Sequence, residues 1–328
     1  MNSNVLIDVK DLRREFASKR SAFSKASPYT VRAVDGVSLY INKGETLALV
    51  GESGCGKSTL GRLLMRIIEP TSGSISFDGS PHRDLGTKEF DAVRRRIQFV
   101  FQDPNAAFNP RMRVGEIIEE PMLLCGVGAQ ERAQRVNELL PLVGLSADHV
   151  SRFPSEFSGG QRQRIGIARA LAVRPELIIC DEPVSALDVS IQAQVVNLLV
   201  ALQRKFQLAY LFISHDLRVV RHIADRVAVM YLGRIVETGD KTAVYERPLH
   251  PYTRALISAV PLPVVRKRVE RELVLGEVPT AQNIPSGCRF HTRCPIAMPV
   301  CSRVDPLPTV TADGRQVACH AVGNSWSG

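Results

Sequence analysis

The chain has 328 residues, 45 % of them apolar and 23 % charged, and a formal net charge of +9. This length exceeds one compact domain, and the apolar share is sufficient for a large core, so we expect one main domain and an appendage. The positive charge permits nucleic acid or an anionic membrane surface as a partner and selects neither.

The start of the chain, MNSNVLIDVKDLRREF, lacks the basic region, continuous apolar segment and small-residue cleavage site of a signal peptide. No apolar run approaches the roughly 20 residues that span a bilayer. We therefore expect a cytoplasmic chain. Thiols stay reduced in that compartment, so the seven cysteines do not indicate a disulfide framework.

Strand and helix patterns alternate along the chain. Short apolar runs predict strands at 6–16, 31–41, 45–51, 97–101, 176–182, 209–215 and 226–239. Helical patterns occur at 57–68, 129–144, 160–172 and 190–206. This alternation predicts an α/β fold with a largely parallel sheet that is covered on both faces. The polar segment 18–30 indicates a surface loop, and the proline-rich segment after Pro248 indicates an extension with little regular structure beyond one helix in PYTRALISAV.

The motif GESGCGKST is a P-loop between a predicted strand and a predicted helix. Its glycines let successive backbone N–H groups point at phosphate oxygens, and the following helix offers its positive end. Lys57 can reach the β- and γ-phosphates, and the Ser58 hydroxyl suits Mg²⁺. A glycine turn without a ligand is the alternative. The candidate ATP-binding residues are Gly51, Ser53, Gly54, Gly56, Lys57, Ser58 and Thr59.

Four polar residues follow buried strands and are candidates for the hydrolytic chemistry. Asp181 and Glu182 end ELIICDE, which places two carboxylates at the edge where open α/β sheets bind ligands. We expect Asp181 to hold Mg²⁺ and Glu182 to orient and deprotonate the attacking water. Gln102 is a candidate ligand for Mg²⁺ or water, and His215 a candidate donor to the γ-phosphate. Without the P-loop, a helix-terminal acidic pair and ordinary surface residues would be the simpler interpretations.

The segment EFSGGQRQR predicts a second anion-binding helix N-terminus, formed by Ser158, Gly159, Gly160 and Gln161. A chain with one P-loop has no obvious need for it. We therefore expect this surface to cap the γ-phosphate bound to a neighbouring subunit, with ATP between two chains.

Six ordered motifs, GESGCGKS, Gln102, SGGQ, IICDEP, SALD and His215, resemble the nucleotide-binding motifs of ABC transporter ATPases over about residues 5–245. The segments RRIQFVFQDPNAAFNPRM, PSEFSGGQRQRIGIARAL and HPYTRALISAVPLP are similar to the ATP-binding subunits of oligopeptide and dipeptide importers, the F type of these pairs more than the D type. The resemblance implies a P-loop ABC ATPase domain at 1–247, with a helical subdomain at about 105–170, and a cysteine-containing extension at 248–328.

The same resemblance implies roles and partners. Ser185 and Asp188 would communicate across a dimer of ATPase subunits, whereas Gln102 and Glu156 would lie near the membrane subunit. The implied partners are a second ATPase subunit of a sister type, two transmembrane permease subunits and an extracytoplasmic solute-binding protein, with no nucleic acid. The chain would then be peripheral, on the cytoplasmic face of the inner membrane.

An aromatic residue that stacks on adenine is expected before the P-loop, because an aromatic face holds a flat base well. Tyr29 is our prediction, since it just precedes the strand VRAV. Phe16 and Phe23 are the alternatives.

Four cysteines, Cys288, Cys294, Cys301 and Cys319, lie in the extension without the close Cys-x2-4-Cys pairs of structural zinc sites. Loose spacing in an irregular segment fits a larger cluster with four thiolate ligands. Some peptide-importer subunits with a similar tail carry a 4Fe-4S iron–sulfur cluster, so the resemblance implies one here. Zinc and unligated thiols are the alternatives.

Two functions remain at this point. The first is an energy-coupling ATPase subunit of a membrane importer, most simply for peptides. The second is a soluble ABC ATPase that acts on nucleic acid or ribosomes, which the positive charge permits. That second class usually has two cassettes or a long coiled-coil insertion, and this sequence has neither.

Overall fold

The structure is a computed structural model that describes residues 4–17, 29–82, 87–259 and 279–322. Phe23 and most of the predicted surface loop lie outside these residues. The strands are β1 (Val5–Ala17), β2 (Thr30–Asn42), β3 (Thr46–Val50), β4 (Ser72–Phe77), β5 (Ser80–Pro81), β6 (Ile97–Val100), β7 (Leu177–Asp181), β8 (Ala209–Ser214), β9 (Arg226–Tyr231), β10 (Arg234–Asp240), β11 (Thr309–Val310) and β12 (Gln316–Val317).

Ten α-helices occur among the described residues. They are α1 (Lys57–Leu64), α2 (Thr87–Arg96), α3 (Pro104–Ala107), α4 (Val114–Leu124), α5 (Ala129–Leu142), α6 (Gly159–Leu171), α7 (Val189–Phe206), α8 (Leu217–Ile223), α9 (Lys241–Glu246) and α10 (Pro251–Ser258). Within these residues, no helix has both the length and the apolar character that crossing a membrane requires.

The chain divides into two compact units, of which the first comprises Met1–Ile7, Ile41–Thr46 and Phe77–Ser214. Its central sheet contains β6, β7 and β8, paired in parallel. Every residue of β7 and β8 is buried, as expected for parallel strands that are covered on both faces. The carboxyl ends of these strands therefore deliver Asp181 and the residues after it to one edge of the sheet.

Between Pro104 and Leu171, the described part of the first unit has helices and turns but no strand. Helix α4 packs against both α5 and α6. The buried residues of these three helices recur at helical spacing, as in Ile117 and Ile118, Val136 and Leu140, and Ile165. The helical subdomain that the resemblance implies at about 105–170 agrees with this region. The domain boundary between residues 247 and 248 stays a prediction.

The second unit comprises Asp8–Tyr40, Leu47–Ser76 and His215–Gly328. Here β3 pairs in parallel with β9, and β9 is antiparallel to β10. A second sheet has four strands in the order β2, β1, β4, β5. The extension forms α10 as predicted. It also contributes the hairpin β11–β12, which pairs with β10 through Glu237 and Val317. Apart from α10, the described part of the extension contains only this hairpin of two-residue strands and a short 3₁₀ turn at Pro299–Ser302, which agrees with the expectation of little other regular structure.

Candidate functional site

The P-loop connects β3 to α1 in the second unit, and packing as well as conformation requires its glycines. Gly56 has a φ of +108°, and a Cβ there would lie 2.0 Å from the carbonyl oxygen of Ala33. Gly54 has a φ of +79°, and a Cβ there would meet nothing within 4 Å. The loop is therefore closely packed at one end and open at its exposed centre, where a phosphate group can approach the backbone.

Lys57 is buried at the start of α1, although it is charged. Its ammonium donates hydrogen bonds to the carbonyl oxygens of Gly51 at 2.8 Å and Glu52 at 2.9 Å, and lies 3.8 Å from the Cys55 sulfur. Burial raises the pKa of the Cys55 thiol although Lys57 lowers it, so this sulfur is a neutral neighbour. Lys57 thus sits inside the curve of the loop. Ser58 and Thr59 follow it in the first turn of α1, and Ser53 is exposed.

Asp181 is the last residue of β7 in the first unit and Glu182 follows it, so both carboxylates lie at the end of the predicted strand. Asp181 is buried, with 5 % of its surface exposed. Glu182 has a φ of +45°, a left-handed conformation that is unfavourable for a residue with a Cβ. A hydrogen bond of 3.0 Å from its N–H to the carbonyl of Ile213 holds it there. Strain of this kind is often found at functional sites, where the surrounding structure fixes a side-chain direction.

Gln102 and Ser185 lie beside Glu182. The Gln102 amide donates to a Glu182 carboxylate oxygen and to the Ser185 hydroxyl oxygen, both at 3.4 Å. The Ser185 hydroxyl donates to the Glu182 carbonyl at 3.0 Å. The structure therefore brings together three residues that the sequence predicted separately. His215 follows the last residue of β8, and its side chain is exposed.

The predicted second helix N-terminus begins α6. Ser158 is its N-cap, and the Ser158 hydroxyl accepts from the Gln161 N–H at 3.4 Å while the Gln161 side chain accepts from the Ser158 N–H at 3.0 Å. This is a capping box. A Cβ at Gly160 would lie 2.4 Å from Ile191 of α7, and one at Gly159 would lie 3.4 Å from Leu187. The glycines therefore let α6 approach α7. Asp188, the N-cap of α7, is exposed and makes no side-chain cap bond.

The adenine-stacking candidates remain predictions. Tyr29 is 44 % exposed next to β2, and Phe16 is 37 % exposed with the Arg14 guanidinium 4.5 Å from the centre of its ring. An exposed aromatic face is a requirement for stacking and both residues meet it, so exposure does not choose between them.

The C-terminal cysteines are not arranged as an evident metal site. The Cys288 N–H donates to the Cys301 carbonyl at 2.8 Å. Burial, together with smaller contributions from the thiols of Cys301, Cys319 and Cys294, raises the pKa of Cys288 to about 11. Yet the described residues, all four cysteines among them, contain no group of three or more His, Cys, Asp or Glu side chains that could hold a metal ion. The expectation of an iron–sulfur cluster or zinc is therefore not supported.

Two residues of the extension contact the P-loop, and sequence reasoning did not identify them. The Tyr252 hydroxyl accepts a hydrogen bond of 2.8 Å from the Glu52 N–H, and Arg293 forms an ion pair with the Glu52 carboxylate. Tyr252 belongs to the HPYT segment. The only signal at this segment in the sequence is its similarity to the ATP-binding subunits of peptide importers. Nothing in the sequence near Arg293 signals its contact.

Comparison with known proteins decides the family. A family model described as ABC transporter matches residues 34–185, and one described as Oligopeptide/dipeptide transporter, C-terminal region, matches residues 236–301. The oligopeptide transport ATP-binding protein AppF of Bacillus subtilis (strain 168) is 52 % identical over 323 residues, which cover 97 % of this chain and 98 % of that protein. The chain belongs to the ABC transporter family.

Other relatives and solved structures agree with an ABC ATPase. A probable peptide ABC transporter ATP-binding protein of Sinorhizobium fredii, y4tS, is 52 % identical and covers 97 % of this chain and 90 % of the relative. The ATP-binding cassette MJ0796, solved as a dimer in a post-hydrolysis state with ADP and Pi, is 29 % identical with a TM-score of 0.63, over 72 % of this chain and 99 % of that one. CbiO1 from Clostridium perfringens is 28 % identical with a TM-score of 0.64, over 74 % and 92 % of the two chains. The predicted P-loop ABC ATPase fold is confirmed.

Proposed function

We propose that this ABC ATPase is the energy-coupling subunit of a membrane importer for peptides. The observation that carries the proposal is the 52 % identity to an oligopeptide transport ATP-binding protein over 97 % of the chain. That identity extends through the C-terminal region, which has its own match to an oligopeptide/dipeptide transporter family model. The extension therefore supports the peptide branch independently of the ATPase motifs.

The site residues support ATP hydrolysis with the following division of roles. Lys57 and the N–H groups of the P-loop bind the phosphates, because Lys57 is buried in the curve of the loop and the centre near Gly54 is open. Glu182 is the general base that orients and deprotonates the attacking water, and its carboxylate accepts a hydrogen bond from the Gln102 amide. His215 donates to the γ-phosphate from the end of β8.

Ser58, Gln102 and Asp181 are the residues that would hold Mg²⁺. Hydroxyl, amide and carboxylate oxygens are the ligands that this hard cation prefers, so the donor set fits. When bound, Mg²⁺ neutralises the charge that develops on the phosphate oxygens. The hydrogen bond between Gln102 and Glu182 then links a proposed metal ligand to the proposed general base.

Each active site is proposed to use two chains. Ser158, Gly159 and Gly160 form a helix N-terminus that suits an anion, with Ser158 and Gly159 exposed and Gly160 buried, and Gln161 completes its cap. In a dimer this surface would cap the γ-phosphate of the partner, and Ser185 and Asp188 would communicate between the sites. The second chain is expected to be a sister subunit. The ATPase rate per chain should therefore rise with protein concentration. A total rate strictly proportional to protein concentration over the whole range would mean a constant rate per chain, and would contradict sites that are shared between two chains.

The remaining partners are proposed to be two transmembrane permease subunits and an extracytoplasmic solute-binding protein, with the ATPase peripheral on the cytoplasmic face of the inner membrane. The competing function, a soluble ATPase that acts on nucleic acid or ribosomes, has no support from the relatives, whose names refer to peptide transport. Binding to DNA with a steep salt dependence, together with no association with membrane subunits, would favour that competitor.

For the four C-terminal cysteines, a 4Fe-4S cluster is a proposal with narrow support. The support is proximity, since the thiols of Cys294, Cys301 and Cys319 are close enough to Cys288 to act on it electrostatically. The raised pKa of Cys288, which disfavours a thiolate, and the absence of a metal-ligand group among the described residues oppose it. Anaerobic purification with iron and sulfide analysis tests it. Iron and sulfide in near-equal amounts, lost in Cys294→Ser, would support a cluster, and their absence from the wild type would reject it.

Uptake of labelled oligopeptides by cells tests the proposed function. Removal of this chain should abolish uptake, the wild-type chain should restore it, and Glu182→Gln should not. Unchanged uptake in cells that lack the chain would refute the assignment to peptide import. The ATPase assignment would then be tested separately, by ATP hydrolysis with the purified protein.

A further inference from the structure

The contacts of Glu52 connect the P-loop to the C-terminal extension. Within the loop, the Glu52 carbonyl accepts from Lys57 at 2.9 Å. Outside it, the Glu52 N–H donates to the Tyr252 hydroxyl at 2.8 Å, and the Glu52 carboxylate accepts two hydrogen bonds of 3.0 Å from Arg293. Both external contacts come from residues after position 248. One residue of the phosphate-binding loop is thus fixed at its backbone and at its side chain by the extension.

The Arg293 ion pair is bidentate and largely shielded from water. The side chain of Arg293 is 8 % exposed and that of Glu52 is 27 % exposed. Burial lowers the pKa of Arg293, but the hydrogen bonds to Glu52 and Tyr231 raise it by more, so the guanidinium stays charged. Two parallel N–H···O bonds fix the orientation of a carboxylate as well as its position. The ion pair therefore restricts where Glu52 can lie.

The Tyr252 hydroxyl is held by a buried cluster of three aromatic rings. The ring centres of Tyr252 and Tyr231 are 4.5 Å apart, and Phe290 lies 5.4 Å from each of them. All three residues are 1 % exposed. The guanidinium of Arg293 lies 5.9 Å from the centre of the Tyr231 ring and 5.8 Å from that of Phe290. The two groups that contact Glu52 are therefore supported by one rigid cluster.

The start of α10 fixes Tyr252 further. The Nδ1 atom of the His250 ring accepts a hydrogen bond of 3.0 Å from the backbone N–H of Tyr252. The backbone N–H of His250 donates to the buried Glu237 carboxylate at 2.9 Å. Pro251 occupies the first position of the helix, where its fixed φ favours helix formation. The HPY sequence thus places the Tyr252 hydroxyl through a chain of contacts that begins on β10.

We propose that Tyr252 and Arg293 are positioning residues for ATP, which hold the P-loop in its phosphate-binding shape through Glu52. The proposal rests on the assigned use of this loop for ATP. In a P-loop, successive N–H groups converge on phosphate oxygens, and their convergence depends on the curvature of the backbone. The Tyr252 hydroxyl accepts the hydrogen bond from the Glu52 N–H, so the curved part of the backbone begins at a residue whose position is fixed. The family model for the C-terminal region spans 236–301 and includes both positioning residues.

Binding of a fluorescent ATP analogue to the purified full-length chain tests the proposal. Arg293→Gln should raise the Kd about tenfold, which corresponds to about 1.4 kcal/mol and lies near the lower end of a hydrogen bond to a charged group. Tyr252→Phe keeps the ring and loses only the hydroxyl, so a smaller rise of about threefold is expected. Arg303→Gln is the matched control, because Arg303 is an exposed arginine of the same extension. Its Kd should equal that of the wild type.

A double-mutant cycle and steady-state kinetics separate positioning from general stability. The effects of Glu52→Gln and Arg293→Gln should be strongly non-additive, because both remove the same ion pair. In the ATPase assay, KM for ATP should rise in Arg293→Gln while kcat changes less than about twofold, since that variant leaves Glu182 in place. Arg293→Lys keeps the charge without the bidentate geometry and should recover part of the loss.

Three results would overturn the proposal. The first is an unchanged Kd in both Arg293→Gln and Tyr252→Phe. The second is additive effects of the two members of the ion pair. The third is a fall in kcat at constant KM, which indicates a loss of active protein and no change in ATP positioning. A wild-type chain that binds no ATP would overturn the ATPase assignment itself and this proposal with it.

Discussion

We predict that His250 makes the docking of the C-terminal extension sensitive to pH. Its ring is 1 % exposed, and its Nδ1 atom accepts a hydrogen bond from the Tyr252 N–H. Burial lowers the pKa of His250 from 6.5 to about 3. A protonated ring has no free acceptor, so protonation would break this cap. We consider the substitution His250→Asn, since asparagine can cap a helix and does not titrate.

The sign and size of the effect follow from linkage. The pKa of His250 is lower in the folded than in the unfolded chain. Its contribution is therefore complete above pH 6.5 and is lost as the pH falls towards 3. Between these values the loss is about 1.4 kcal/mol per pH unit. Lowering the pH from 7.5 to 5.5 should therefore destabilise the wild type by about 1.4 kcal/mol through His250. The variant His250→Asn should not show this loss, because asparagine does not titrate.

Hydrogen–deuterium exchange of peptides over Pro251–Ser258 is a suitable assay. A chain of this size does not unfold in one two-state step, and exchange reports the local opening of α10. Comparison of wild type and variant at the same pH cancels the intrinsic exchange rate. The ratio of wild-type to variant exchange rates should increase about tenfold between pH 7.5 and 5.5. A ratio that does not change with pH would refute the claim that His250 is buried and neutral.

Three further predictions concern the catalytic base, the P-loop and the extension. Glu182→Gln should lower kcat by a factor of about 10² to 10⁴ while ATP binding persists; normal turnover would remove Glu182 from its role. Gly56→Ala should lower the melting temperature without nucleotide more than Gly54→Ala, because a Cβ would collide with backbone at Gly56 and would meet nothing within 4 Å at Gly54; equal melting temperatures would contradict the packing of the loop. Arg315→Ala leaves the buried Glu237 carboxylate without its ion pair and should destabilise the extension by about 3–5 kcal/mol. Protease resistance equal to that of the wild type would contradict this last prediction.

Much of the core of the fold and the identity of the motifs could be predicted from the sequence. The runs ELIICDE and AYLFISH become β7 and β8, because strands buried on both faces are continuously apolar. Ser158 begins a helix because the chemistry of its cap is local. These signals span few residues, so short-range patterns suffice to find them.

The contacts between the extension and the P-loop could not be predicted in this way. Tyr252 lies 200 positions from Glu52 in the chain, and Arg293 lies 241 positions from it. No periodicity connects residues so far apart. The cysteines show the reverse case: their spacing suggested a ligand set that the described residues do not support, because ligand geometry depends on side-chain positions that spacing does not determine.

The central claim is that ATP hydrolysis by this chain drives peptide import. The most direct measurement is ATP hydrolysis and peptide uptake by the assembled transporter, reconstituted in lipid vesicles with its permease subunits and peptide-loaded binding protein. We expect ATP to drive accumulation of peptide inside the vesicles, and Glu182→Gln to abolish hydrolysis and accumulation together. Peptide accumulation that continues at the wild-type rate with Glu182→Gln, or ATP hydrolysis without any peptide movement in the wild type, would contradict the assignment of this chain to ATP-driven peptide import.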